Sequence, residues 1–218
     1  MVRTVIFDVD GTLLDTERIY MRAWVQAGAA RSIDIPMEAL KKTRALSVQA
    51  SKAVFSRYCG ADFPYDEIRR ERVRIAEEII RDTPARELWK PGAVGTLRAL
   101  EGRFRLAVAS STVLAITKEH LRHAELLEFF PVLVCGDMVA HGKPAPDIFW
   151  KAAELSGTEP DACLVVGDTP ADVQAARAAG MEVVLVPDQV QPDAPTRAQC
   201  RAVLESLEAL PPLLAREE

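Results

Sequence analysis

Val5-Ile6-Phe7-Asp8-Val9-Asp10-Gly11-Thr12-Leu13-Leu14-Asp15-Thr16 opens as a strand and closes as a turn, with two acids one residue apart at the junction. A short uninterrupted apolar run suits a parallel strand covered on both faces, and Gly11 allows backbone dihedrals that other residues avoid. Residues i and i+2 of a strand point the same way, so Asp8 and Asp10 bring two carboxylates to one mouth. Like charges this close are costly unless a cation or proton offsets them, which points to a metal ion. A calcium loop of the EF-hand type is excluded by spacing. It needs Gly at its sixth position between helices, whereas Gly11 stands fourth from Asp8 and follows a strand.

From Pro91-Gly92 onward, helical patterns alternate with short apolar strands. Strands are predicted over Arg105–Ala109, Val132–Cys135, Cys163–Gly167 and Val183–Val186. Helices are predicted over Ala93–Leu100, Ile116–Ala124, Asp147–Ser156, Pro170–Ala179 and Arg197–Leu210. Such alternation implies crossover connections and a parallel, Rossmann-like sheet with helices on both faces, an α/β three-layer sandwich. Between Thr16 and Glu87 the pattern is helical only, broken near Ser32–Pro36 and Gly60–Pro64. The expected organisation is a core formed by residues 1–15 and 88–218, with residues 16–87 inserted as a small helical cap domain. Within that insertion, Arg69, Arg70, Arg72 and Arg74 read as a solvated helix face paired with Glu71, Glu77 and Glu78.

The 218 residues are 49% hydrophobic, enough for a real core, and the net charge of −5 argues against a protein that spreads over nucleic acid. Cys59, Cys135, Cys163 and Cys200 show neither a CxxC pair nor zinc-like spacing, which reads as reduced cysteines of a cytoplasmic protein. No leader or apolar stretch of bilayer-spanning length is evident, so no membrane partner is expected. Walker, dinucleotide and HExxH signatures are missing. His120 and His123, three apart on a predicted helix, read as solvated.

Ligands of an open parallel sheet bind outside the carboxyl ends of its strands. Each unusual polar cluster falls at such an end: Asp8 and Asp10; Ser110, Ser111 and Thr112; Asp168, Thr169 and Asp172; and Lys143 in the loop after the Val132 strand. A carboxylate is a competent nucleophile toward phosphorus, and Asp8, first out of its strand, is the candidate. Asp10 suits the acid that protonates the departing oxygen and then deprotonates water. Attack of an anion on an anion calls for neutralising charge, supplied by magnesium held by carboxylates that Asp168 completes, with Asp172 behind it. Ser110, with its neighbour Ser111, and Lys143 would grip the phosphoryl group.

The four clusters in this order resemble the haloacid dehalogenase-like hydrolase superfamily over essentially the whole chain, with the DxDGT run as the most specific signature. The resemblance implies Asp8 as nucleophile and Asp10 as acid/base, with Asp10 also lending its backbone carbonyl to a magnesium ion. It further implies phosphate binding by Ser110 and Lys143 and metal binding by Asp168. The inserted helices look like the cap of the branch that contains phosphoglycolate phosphatase and β-phosphoglucomutase, where the cap largely sets specificity. Dehalogenases of this kind lack the second acid, so Asp10 speaks against dehalogenation. The mutases carry a glycine-containing cap loop, whereas Thr43-Arg44-Ala45-Leu46-Ser47 has none, and Val113-Leu114 stands where they tend to carry Lys-Asn. The expected activity is a magnesium-dependent phosphatase of a small phosphorylated metabolite, a sugar phosphate or similar monoester, with a sugar phosphomutase as the alternative. Tyr20, Trp24, Arg44 and Ser47 are candidates for lining the substrate pocket. Oligomeric state has no signature in the sequence.

Overall fold

The computed structural model describes residues 1–43, 48–188 and 191–215. Two compact units emerge, Met1–Asp15 with Ala85–Glu218, and Thr16–Pro84.

In the first unit, β1 (Thr4–Phe7) is buried along its whole length. After α5 (Ala85–Leu88) and α6 (Ala93–Leu100) come β2 (Arg105–Ser110), α7 (Leu114–His123), β3 (Val132–Cys135) and α8 (Asp147–Leu155). The chain continues through β4 (Cys163–Gly167), α9 (Pro170–Ala178), β5 (Glu182–Leu185), α10 (Ala194–Gln199), β6 (Ala202–Val203) and α11 (Leu210–Ala215). All strand pairs are parallel, in the order β3-β2-β1-β4-β5-β6. Strand order reverses around β1, and this is where such sheets open a crevice at their carboxyl ends.

Alternate residues explain the layers. Ile6, Ala107, Val165 and Val183 pack with Ile148 and Phe149 of α8 and with Val173 and Ala176 of α9. Val5, Phe7, Val108 and Val166 face the other way and are equally buried, Phe7 meeting the edge of Phe130. Burying each such side chain contributes about 2 kcal/mol, so both faces of the central strands are core.

The predicted helix over Arg197–Leu210 is replaced by α10, the two-residue β6 and α11. Apolar residues Ala198, Val203, Leu207 and Leu210 imitate a helical stripe, but backbone pairing prevails. Arg201 N donates to Val183 O (2.8 Å) and Leu204 N to Leu185 O (2.8 Å), which adds a strand to the sheet edge.

The second unit consists of α1 (Glu17–Ala29), α2 (Met37–Thr43), α3 (Val48–Cys59) and α4 (Tyr65–Asp82). Its core is aromatic: Trp24 lies 4.6 Å from Phe55 and 5.6 Å from Tyr65 between ring centroids, and Phe63 stacks on Phe55 at 4.9 Å. The charged face of α4 is largely as expected, with Arg74 bridging Glu71 and Glu78. Arg72 departs from it and lies over the Tyr20 ring at 4.1 Å. No helix among the described residues is long and apolar enough to cross a membrane.

Candidate active site

The register Phe7↔Val108 and Phe7↔Val166 sets Asp8 at the open end of the two central grooves, where its N–H still donates to Val166 O (2.9 Å). Three chain segments converge on it. Lys143 reaches in from the loop before α8, and its ammonium donates to Asp8 Oδ1 (2.6 Å) and Ala109 O (2.8 Å) and pairs with Asp172 Oδ1 (2.7 Å). The lysine side chain is buried against the ring of Phe149.

Burial pushes the Asp8 carboxyl up to about 7, aided by the negative charges of Asp172 and Asp10 and opposed by Lys143. Burial also works against the Lys143 ammonium, but Asp172 and Asp8 outweigh it and hold its pKa above the ordinary value. The two groups therefore want different things: the cation is secure, while the anion is under-compensated.

Asp10 turns its carboxylate to Thr112, whose Oγ1 donates to Oδ2 at 2.9 Å. The same residue's backbone N–H donates to Ser110 Oγ (3.1 Å), so Thr112 connects the ends of β1 and β2. Asp168, at the end of β4, accepts from Thr12 Oγ1 at 3.3 Å. Gly11 makes that approach possible: its φ is +87°, and a Cβ there would lie 2.5 Å from Asp168 Oδ2.

Asp172 has two partners. It completes a capping box at the start of α9, its Oδ2 accepting from Thr169 N (3.1 Å) and Thr169 Oγ1 (2.6 Å), while Oδ1 faces Lys143. It therefore contacts both the lysine and the first turn of α9. The spacing Thr169-Pro170-Ala171-Asp172 carries the capping-box signature and could have revealed half of this role.

The printed contacts form three groups at the strand ends, Lys143 with Asp8 and Asp172, Thr112 with Asp10 and Ser110, and Thr12 with Asp168. Ser111 is exposed, and its carbonyl packs against Gly136. His120 is buried within α7 rather than solvated. Arg44 and Ser47 lie outside the described residues. Trp24 is committed to the aromatic core of the helical unit.

Four carboxylates (Asp8, Asp10, Asp168, Asp172) share this region with one lysine. No three His, Cys, Asp or Glu side chains among the described residues form a ready-made metal group. The oxygen donors of Asp8 and Asp168, with the raised Asp8 pKa, nevertheless suit a hard divalent cation that keeps water and substrate oxygens in its shell.

A model of the haloacid dehalogenase-like hydrolase family matches residues 2–180. The chain belongs to that family. Fructose-1-phosphate phosphatase YqaB of Escherichia coli K12 is 30% identical, over 82% of this chain and 93% of that protein. A Drosophila melanogaster protein described as "Probable pseudouridine-5'-phosphatase" is 35% identical, over 84% of this chain and 80% of its own. The crystal structure of CbbY from Rhodobacter sphaeroides in complex with phosphate superposes with a TM-score of 0.77 at 26% identity, covering 96% of both chains. The fold is thereby shared over 96% of this chain.

Proposed function

We propose that this haloacid dehalogenase-like hydrolase is a magnesium-dependent phosphoric monoester hydrolase, acting on a small phosphorylated metabolite through an aspartyl-phosphate at Asp8. The observation that carries the reading is the buried Lys143 ammonium fixed between Asp8 and Asp172, beside carboxylates it only partly balances. A site of this kind favours an arriving phosphoryl group together with a divalent cation. The relatives support the chemistry and differ in substrate: one is named for a phosphosugar, the other for a phosphorylated nucleoside. A sugar phosphate or similar monoester is the substrate class proposed here.

The carboxylates of Asp8 and Asp168 and the backbone carbonyl of Asp10 would hold the magnesium ion, which supplies charge neutralisation for an anionic nucleophile and an anionic substrate. An oxygen of Asp8 attacks phosphorus as the bond to the ester oxygen breaks, and protonated Asp10 gives its proton to that oxygen. Asp10, now a carboxylate, takes a proton from water as the water attacks the phosphoaspartate. The bond from phosphorus to Asp8 then breaks, inorganic phosphate leaves, and Asp10 is again protonated. Lys143 and the hydroxyl of Ser110 hold the phosphoryl oxygens throughout.

A phosphate-release screen over sugar phosphates, nucleotides and phosphoglycolate, with and without magnesium, tests the reading. Magnesium-dependent release is expected, and Asp8→Asn should lower turnover by about 10³-fold or more while the fold persists, since an amide is a poor nucleophile of similar shape. Near wild-type turnover by Asp8→Asn would require another nucleophile. Isomerisation of a hexose 1-phosphate without free phosphate would make the enzyme a mutase.

A further inference from the structure

We infer that Thr112 is a positioning residue for the leaving-group proton, a role that rests on the reading of Asp10 as the general acid. Its hydroxyl donates to Asp10 Oδ2 at 2.9 Å across 102 residues of sequence, fixing one carboxyl oxygen of a side chain on a loop. Its backbone N–H donates to Ser110 Oγ, so the group that aims the acid also sits one hydrogen bond from the group that grips phosphate. The two contacts use different parts of the residue. Replacing the hydroxyl removes this bond to the Asp10 carboxyl but leaves the main-chain bond to Ser110 in place.

The chemistry makes these contacts separable. When the P–O bond breaks, an alkoxide leaving group needs a proton, whereas a nitrophenolate departs as a stable anion and needs none. A misaimed Asp10 therefore penalises alkyl esters and largely spares aryl esters. A loss of phosphate grip or of general packing would penalise both alike.

The experiment compares kcat/KM for p-nitrophenyl phosphate with that for the alkyl monoester turned over fastest in the phosphate-release screen. Because kcat/KM covers only steps up to departure of the leaving group, hydrolysis of phosphoaspartate does not enter. Thr112→Val is expected to lower the alkyl-to-aryl ratio by about tenfold, Thr112→Ser to restore it, and Asp10→Asn to lower it further, by about 10²-fold or more. A ratio in Thr112→Val equal to wild type, while Asp10→Asn lowers it, overturns the role of Thr112. An unchanged ratio in Asp10→Asn overturns Asp10 as the acid, a separate failure. Loss in Thr112→Val that Thr112→Ser does not repair means that a hydroxyl at this position does not suffice to aim the acid, and equally overturns the inference.

Discussion

The helical unit and the carboxyl edge of the sheet both contain ion pairs, but of opposite kinds. On the helical unit, Arg31 pairs with Glu67 at 2.6 Å with about half of each side chain in solvent, and Lys52 meets Asp66 likewise at the surface. At the sheet edge, Lys143 is 5% exposed, with Asp8 at 10% and Asp172 at 3%. Water screens the first set, and its removal changes little; the second set is out of water, and each charge depends on its partners. An ordinary amphipathic helix needs only an apolar face and a wet one. Carboxylates buried beside one lysine are costly to fold around, and in this chain the cost is incurred at the strand ends where such sheets bind ligands.

Lys143→Met is the strongest way to test that contrast. It strands Asp8 and Asp172 in the interior, with an expected stability loss of about 3 kcal/mol in chemical denaturation and a fall in kcat/KM of about 10³-fold. A variant as stable as wild type would mean that water reaches these carboxylates. Next in size is an effect of opposite sign. The fold holds the Asp8 carboxyl at about 7 against an ordinary value of 3.8, so it binds the proton more tightly than the unfolded chain does. That contribution is complete below about pH 4 and is lost as pH rises through 7. Without magnesium, Asp8→Asn should therefore melt about 6 °C above wild type at pH 8, some 2 kcal/mol, with the two curves converging near pH 4. Melting temperatures across that range, with EDTA present, provide the check.

Gly11→Ala should be milder. A left-handed φ costs about 1 kcal/mol for alanine, and the added methyl group would press on Asp168 Oδ2. Magnesium affinity by titration calorimetry should weaken about tenfold, and an unchanged affinity would remove Asp168 from the metal site. Smallest of all is Arg74→Ala in the helical unit. Despite its bonds to Glu71 and Glu78, the melting temperature should move by about 1 °C or less, and a larger drop would erase the difference between the two regions.

Much of this was legible because strands carry their burial in composition. Val5-Ile6-Phe7 and Leu164-Val165-Val166 have no polar residue to place in water, and the acids, serines and glycines that follow them mark where each strand stops. β6 was not legible, since two residues contain no period and their pairing with β5 is decided by distant backbone. The hydroxyl of Thr112 was equally silent: a threonine after two serines reads as a helix start, and only the fold brings Asp10 beside it. Asp172 was half legible, the capping box being local and its lysine being 29 residues away in sequence. His120 shows the same limit, as a helix pattern with polar neighbours does not tell which side meets the sheet.

The two oxygens of Asp172 divide their labour, one starting α9 and the other holding the ammonium. Asp172 thus joins the start of α9 to the buried lysine, so that a change at this position disturbs both. A descendant that had abandoned catalysis would still be held to an acid at this position by the demands of folding. Persistence of that aspartate is therefore a poor witness to activity, and the lysine opposite, whose charge the same buried carboxylates need, is no better one.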